Sequence, residues 1–255
     1  MSTRKLLETI IGAPLTRDGL KLARSALRGL KLGTLLRFRR EFKLYRAGSA
    51  ESLQFYAAPR LDDRTEQTPV DLYYFYQDLW GLNQALEVKP SRIVEIGSTA
   101  FLVGVLAQHF DVTSIDIRPL PVELPRLECR KGSILELPFE DASVEYINSL
   151  CVIEHIGLGR YGDPLDPKGI EKAITELRRV IAPGGRLVTS VPLGPSCVAF
   201  NSHRVFEREE FLALWPEFEV EAEVFCVPGY ADSCDTGSMK PGKSHVYCVR
   251  LKRQG

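Results

Sequence analysis

Two short runs hold most of the side chains that could do chemistry. Glu154 to Gly169 (EHIGLGRYGDPLDPKG) brings His155, Arg160, Tyr161, Asp163 and Asp166 together among glycines and prolines, and Phe200 to Phe206 (FNSHRVF) brings Asn201, His203 and Arg204. An unperturbed imidazole titrates near pH 6.5, so His155 and His203 are the candidate general bases. Arg160, Tyr161, Asp163, Asn201 and Arg204 offer hydrogen-bonding groups suited to a polyol or an acidic substrate. Asp163 and Asp166 suit a second use equally well, capping local backbone in a turn-rich loop. His109 and His245 fall in helical and strand contexts and read as structural. His155, Asp163 and Asp166 follow no metal-ligand spacing, so no metal is expected.

Both runs need elements that carry them to one place. Thr68-Pro-Val-Asp71 supplies a capping hydroxyl and a proline at the first helical position, and Leu72, Phe75, Tyr76, Leu79, Asn83 and Leu86 then recur on one helical face, predicted to be buried. From Arg92 strands alternate with helices: Arg92 to Gly97, a helix over Phe101 to Phe110, Val112 to Ile117, a short strand at Leu127 to Arg130, and Val144 to Cys151. A helix with Ile170, Ala173, Ile174, Leu177, Val180 and Ile181 on one face follows, ended by Pro183-Gly-Gly before a strand at Arg186 to Val191. The tail adds a helix near Glu207 to Trp215 and strands at Phe218 to Val227 and His245 to Lys252. The alternation predicts an α/β fold with a doubly wound, mostly parallel sheet whose ligand lies beyond the carboxyl ends of the strands. The last two strands lack room for a crossover and should form an antiparallel edge pair.

Over Pro69 to Lys252 the chain resembles the class I S-adenosylmethionine-dependent methyltransferases. The resemblance rests on VEIG (Val94 to Gly97), Asp116, LPFED (Leu137 to Asp141), Glu154-His155 and LRRVIAPGGRL (Leu177 to Leu187) in that order. YFYQDLW (Tyr74 to Trp80), IDIRPL (Ile115 to Leu120), GLGRYGDPLDP (Gly157 to Pro167) and FNSHRVF are similar to a branch of that superfamily known as a domain of unknown function. This implies a Rossmann-like methyltransferase fold of the seven-stranded type and S-adenosylmethionine as cofactor. By that resemblance Glu95, Gly97, Ser98 and Thr99 face the cofactor at the first strand, Asp116 and Ile117 at the second, and Ser133 and Ile134 after the third. The chemistry is consistent: Gly97 permits close backbone approach, and Asp116 suits two ribose hydroxyls. The family's alternating glycines are replaced by Thr99 and Phe101, and its adenine-binding acid by Ser133. The expected reaction is O-methylation of a small-molecule or carbohydrate-type acceptor; the alternative is a degenerate methyltransferase fold that binds without catalysing. A dinucleotide-dependent oxidoreductase is excluded by the missing Gly-x-Gly-x-x-Gly.

Composition narrows the setting. The 255 residues carry 33 basic and 33 acidic side chains, yet Met1 to Arg46 holds twelve Lys or Arg against Glu8, Asp18 and Glu41. The remainder is acidic and would repel phosphates, which argues against nucleic acid. Leu20, Ala23, Leu27 and Leu30 alternate with a stripe of Lys21, Arg24, Arg28 and Lys31, an amphipathic basic helix. It could pack on its own domain or a partner subunit, or dock at an anionic membrane surface. The division expected is a helical arm and linker over 1–67 and a methyltransferase-like domain over 68–255. Six cysteines without a Cys-x-x-Cys pair, no apolar run of spanning length and no signal-peptide core suggest a cytoplasmic protein, with a peripheral membrane contact through 1–46 as the variant. The oligomeric state is not encoded in any feature of the sequence.

Overall fold

A strand order that runs outward from the middle of a parallel sheet leaves a crevice where it reverses, and the larger part of this chain is built that way. The structure, a computed structural model, describes residues 3–11, 32–48, 55–226, 229–237, 239 and 244–255, in two compact units, Met1–Pro69 and Val70–Gly255. In the second unit α3 (Leu72–Val88) precedes β1 (Arg92–Ile96), α4 (Ala100–His109), β2 (Asp111–Asp116), β3 (Leu127–Lys131) and β4 (Val144–Leu150). Then come α5 (Gly169–Val180), β5 (Ile181–Leu193), β6 (Cys197–Ala199), β7 (His203–Val205), α6 (Arg208–Ala213), β8 (Phe218–Cys226), β9 (Tyr230–Ala231) and β10 (His245–Arg253). The main sheet has the order β3-β2-β1-β4-β5-β10-β8-β9. β1 to β5 are mutually parallel, and β10 inserts antiparallel between β5 and β8, which makes the expected antiparallel pair. This is the doubly wound α/β architecture read from the sequence.

α5 buries Ile170, Ala173, Ile174, Leu177 and Val180 against the sheet, as its periodicity predicts. α3 does not follow its own pattern. Asp71 caps it, accepting from the Tyr73 N–H at 3.0 Å, in place of Thr68. Leu72, Phe75, Leu79 and Leu86 are exposed, and the buried face carries Gln77, Trp80, Gly81, Gln84 and Ala85. The two glutamines are tolerated because each has interior partners. Gln77 Oε1 accepts from the Cys151 thiol at 2.6 Å and the Ser190 hydroxyl at 2.8 Å, and Gln84 Oε1 accepts from Arg250 at 2.8 Å. The β6–β7 hairpin is not predicted by the sequence either; its turn holds the FNS run, and Phe206 after it bridges to Leu193 at the end of β5.

In the first unit, α1 (Thr3–Ile11) and α2 (Leu32–Gly48) share a small core of Leu7, Ile11, Leu35, Ala57 and Leu61. The amphipathic stripe from Leu20 to Lys31 lies outside the described residues. Among the described residues no helix is long and apolar enough to cross a membrane.

Candidate functional site

β1 ends at a turn that only glycine takes without strain. Gly97 has φ +64°, and a Cβ there would lie 3.2 Å from Val152 and 3.9 Å from Asp116 Oδ2. Below it Glu95 is fully buried, with Oε1 accepting from the Ser98 N–H at 2.8 Å and Oε2 from the Ser114 hydroxyl at 3.2 Å; burial pushes its carboxyl up to about 7. Ser98 Oγ accepts from the Leu150 N–H at 3.0 Å, which ties the turn to β4. Thr99 caps α4: its hydroxyl accepts from the Leu102 N–H and donates to Asp78 at 2.5 Å. Its φ is −64°, so the β-branched side chain meets no strain, and Phe101 is 78% exposed.

Beyond the ends of β1, β2 and β4 opens a cavity of about 640 Å³. Gly97, Asp116, Ile117, Ser133 and Ile134 line it, whereas Glu95, Ser98 and Thr99 are absent from its walls and shape the turn from behind. Ser133 Oγ caps its own turn by accepting from the Leu135 N–H at 3.2 Å. Glu136 and Lys131 also face the cavity, in positions that no spacing or motif singles out.

A smaller pocket of about 250 Å³ adjoins it, sharing Cys151 and His155 and adding Tyr73, Glu154, Arg160 and His203. The two pockets meet at a strained corner. Cys151 has φ +53°, its N–H donates to Ser190 Oγ at 2.9 Å, and the chain then enters a single 3-10 turn, Ile153–His155. His155 is 8% exposed, and its Nδ1 lies 2.6 Å from the Ser202 carbonyl. A carbonyl only accepts, so Nδ1 carries the proton and Nε2 keeps its lone pair. Burial, reinforced by Arg160, holds the imidazole down at about 4 against the Ser202 bond. Nε2 is 3.7 Å from Glu154 Oε1, and the fully buried Glu154 carboxyl is pushed up to about 8, with Oε2 lacking a partner among the described residues.

The loop between them is organised by one carboxylate. Asp163 accepts from the N–H groups of Gly157, Gly159 and Tyr161, which is the capping role, and it also lines the large cavity. Asp166 accepts from the Lys168 N–H and pairs with Lys172 at 2.6 Å, so its side chain serves the start of α5. Tyr161 lines the cavity with the guanidinium groups of Arg118 and Arg160 at 4.4 and 4.9 Å from its ring centre. Arg160 also donates to the Ser202 carbonyl at 3.1 Å. His203 lines the smaller pocket, with Nδ1 2.9 Å from Ser202 Oγ. Two residues expected at the acceptor fall elsewhere: Asn201 is exposed and lines neither pocket, and Arg204 donates to the Ile156 carbonyl at 2.7 Å, bracing the 3-10 turn. Among the described residues no group of three His, Cys, Asp or Glu side chains could hold a metal ion.

Comparison with known proteins agrees with this architecture. N-methyltransferase NodS from Bradyrhizobium japonicum WM9 superposes with a TM-score of 0.52 at 18% identity, over 72% of this chain and 97% of that one. Its complex with S-adenosyl-l-homocysteine gives 0.51 at 19%, over 70% and 86%. Geranyl diphosphate methyltransferase in complex with SAM gives 0.51 at 14%, over 69% and 85%. The fold is that of the class I methyltransferases. A family model described as "Caenorhabditis protein of unknown function, DUF268" matches residues 138–222, from within LPFED to the middle of β8. An uncharacterized 37.1 kDa protein in transposon TN4556 of Streptomyces fradiae is 38% identical over 69 residues, 27% of this chain. A protein of Encephalitozoon cuniculi with a provisional methyltransferase name is 33% identical over 91 residues, 33% of this chain. The matched segments span only 17% and 38% of those two relatives.

Proposed function

We propose that this chain is an S-adenosylmethionine-dependent methyltransferase acting on an oxygen of a small polar or glycan-type acceptor. The observation that carries the reading is the place of His155: it stands on the wall common to both pockets with Nε2 free to accept a proton. The cofactor fits the chemistry of the larger cavity. Gly97 leaves the space a Cβ would fill, Asp116 turns Oδ2 toward that space, and Ile117 and Ile134 add apolar wall beside the Ser133 turn. Solved neighbours of the same fold whose descriptions name S-adenosyl-l-homocysteine and SAM support the assignment. When bound, S-adenosylmethionine supplies an electrophilic methyl group.

The remaining work falls to this chain's side chains. Asp116 accepts from the ribose hydroxyls, and Glu95, Ser98 and Thr99 fix the turn that sets Gly97. A hydroxyl in the smaller pocket donates to His155 Nε2, which takes its proton as the oxygen forms its new bond, while the Ser202 carbonyl holds the ring in the required tautomer. Arg160, Tyr161 and His203 orient the acceptor. Of the three departures that favour a non-catalytic scaffold, Thr99 and Phe101 lie outside the cavity, while Ser133 lines it. Calorimetry with S-adenosylhomocysteine tests the reading: the unmutated chain binds, and Asp116→Ala loses about 1.5 to 3 kcal/mol, the worth of a charged hydrogen bond. No heat at millimolar ligand would return the chain to the scaffold alternative.

A further inference from the structure

We propose that α2 docks this chain on anionic lipid surfaces. The helix has two apolar faces, and among the described residues of the first unit only one is packed. Leu35 is fully buried there, with Phe38 and Phe42 packed beside it on the core of Leu7, Ile11, Ala57 and Leu61. On the opposite side Leu36 and Leu44 are 49% and 67% exposed, and Arg40 and Lys43 fall between them at helical spacing, so the four residues form one outward stripe. α2 as a whole carries Arg37, Arg39, Arg40, Lys43 and Arg46 against the single acid Glu41. That acid is already engaged, 3.9 Å from Arg37 and 3.5 Å from Arg64.

Charge selects the occupant. A second copy of the same stripe would bring like charges face to face across a two-fold axis, which costs rather than stabilises. A layer of anionic headgroups meets both halves of the stripe at once. The ammonium and guanidinium groups stay at headgroup level on their aliphatic stems, while the two leucines enter the acyl boundary. Each cation near such a surface strengthens partitioning about fivefold, and the effect falls with added salt.

The test is sedimentation of the full chain with vesicles of phosphatidylcholine, pure or containing about one quarter phosphatidylserine. The expected result is binding to the anionic vesicles, weakened by salt and small on the neutral ones. Arg40→Gln with Lys43→Gln should weaken it on the order of 30-fold, and Leu44→Ser on the order of tenfold at unchanged charge. All three side chains are exposed, so circular dichroism and the unfolding transition should match the unmutated chain. Absence of binding to anionic vesicles overturns the proposal, as does salt-independent binding to both kinds. Retention of full affinity by both variants places any lipid contact elsewhere and overturns it equally. Dimerisation in the absence of lipid that Leu44→Ser abolishes, without vesicle binding, would give the stripe to a second copy.

Discussion

Burial takes His155 down to about 4 and Glu154 up to about 8, so near neutrality the imidazole is neutral, with its proton on Nδ1, and the carboxyl is protonated. A weak imidazole with a fixed lone pair suits methyl transfer, because a hydroxyl becomes strongly acidic only as its new bond forms and needs a receiver in place. His155→Ala should therefore lower turnover roughly 10²- to 10⁴-fold on any acceptor the unmutated chain methylates, with calorimetric affinity for S-adenosylhomocysteine unchanged. An equal loss of cofactor affinity would instead make His155 a wall residue. The same burial has a consequence for stability. Glu154 and Glu95 have folded pKa values above their unfolded ones, so their contribution is complete in acid and is lost as pH rises through about 7 and 8. His155 works in the opposite sense, losing stability as pH falls from 6.5 through 4, so above pH 6.5 the two acids dominate. Denaturant titrations at pH 6.5 and 8 should show stability falling by up to about 1.4 kcal/mol per pH unit per acid. Glu154→Gln should remove roughly two thirds of that loss; an unaltered slope would mean that Glu154 is ionised in the folded chain.

At the scale of elements, the strand-to-helix connections decide the site, and they were the least legible part of the sequence. The alternation of β1 to β5 with helices could be read because both faces of a parallel sheet demand apolar runs at fixed spacing. The buried face of α3 could not, because Gln77 and Gln84 are satisfied by Cys151, Ser190 and Arg250, partners far away in sequence. The β6–β7 hairpin was missed because its strands, three residues each, carry no periodicity. Its turn nevertheless delivers the Ser202 carbonyl that sets the His155 tautomer. Asp163 was legible in both its uses, and the structure gives it the capping one while leaving it on the cavity wall. The loop it organises depends on Gly157. At φ +79° a Cβ on this residue would stand 2.0 Å from the Asp166 carbonyl oxygen, which is backbone and cannot turn aside. Gly157→Ala should destabilise the chain by about 2 to 4 kcal/mol, read as a drop in unfolding midpoint, with cofactor binding weakened as the loop shifts. Gly162→Ala is the control: its φ of +90° is strained, yet no atom lies within 4 Å of the added methyl, so its cost should be clearly smaller.

For the whole molecule, apolar burial divides where charge divides. Every member of the two large core clusters, and every residue lining both pockets, lies between Val70 and Gly255. The five buried residues of the other core lie between Leu7 and Leu61, within the segment that carries most of the basic excess. Among the described residues the first unit's core has five members, while the second unit has an ordinary domain's length and its own capped first helix. A fragment of residues 70–255 is therefore expected to fold alone, with one cooperative thermal transition and the near-ultraviolet dichroism of packed aromatic residues. It should bind S-adenosylhomocysteine as the full chain does and lose all affinity for anionic vesicles. Residues 1–69 alone should show at most a shallow transition in water. Collapse of the 70–255 fragment into a state with secondary structure but no near-ultraviolet signal would show that the first unit completes the larger core, and would join recognition of lipid to the integrity of the catalytic fold.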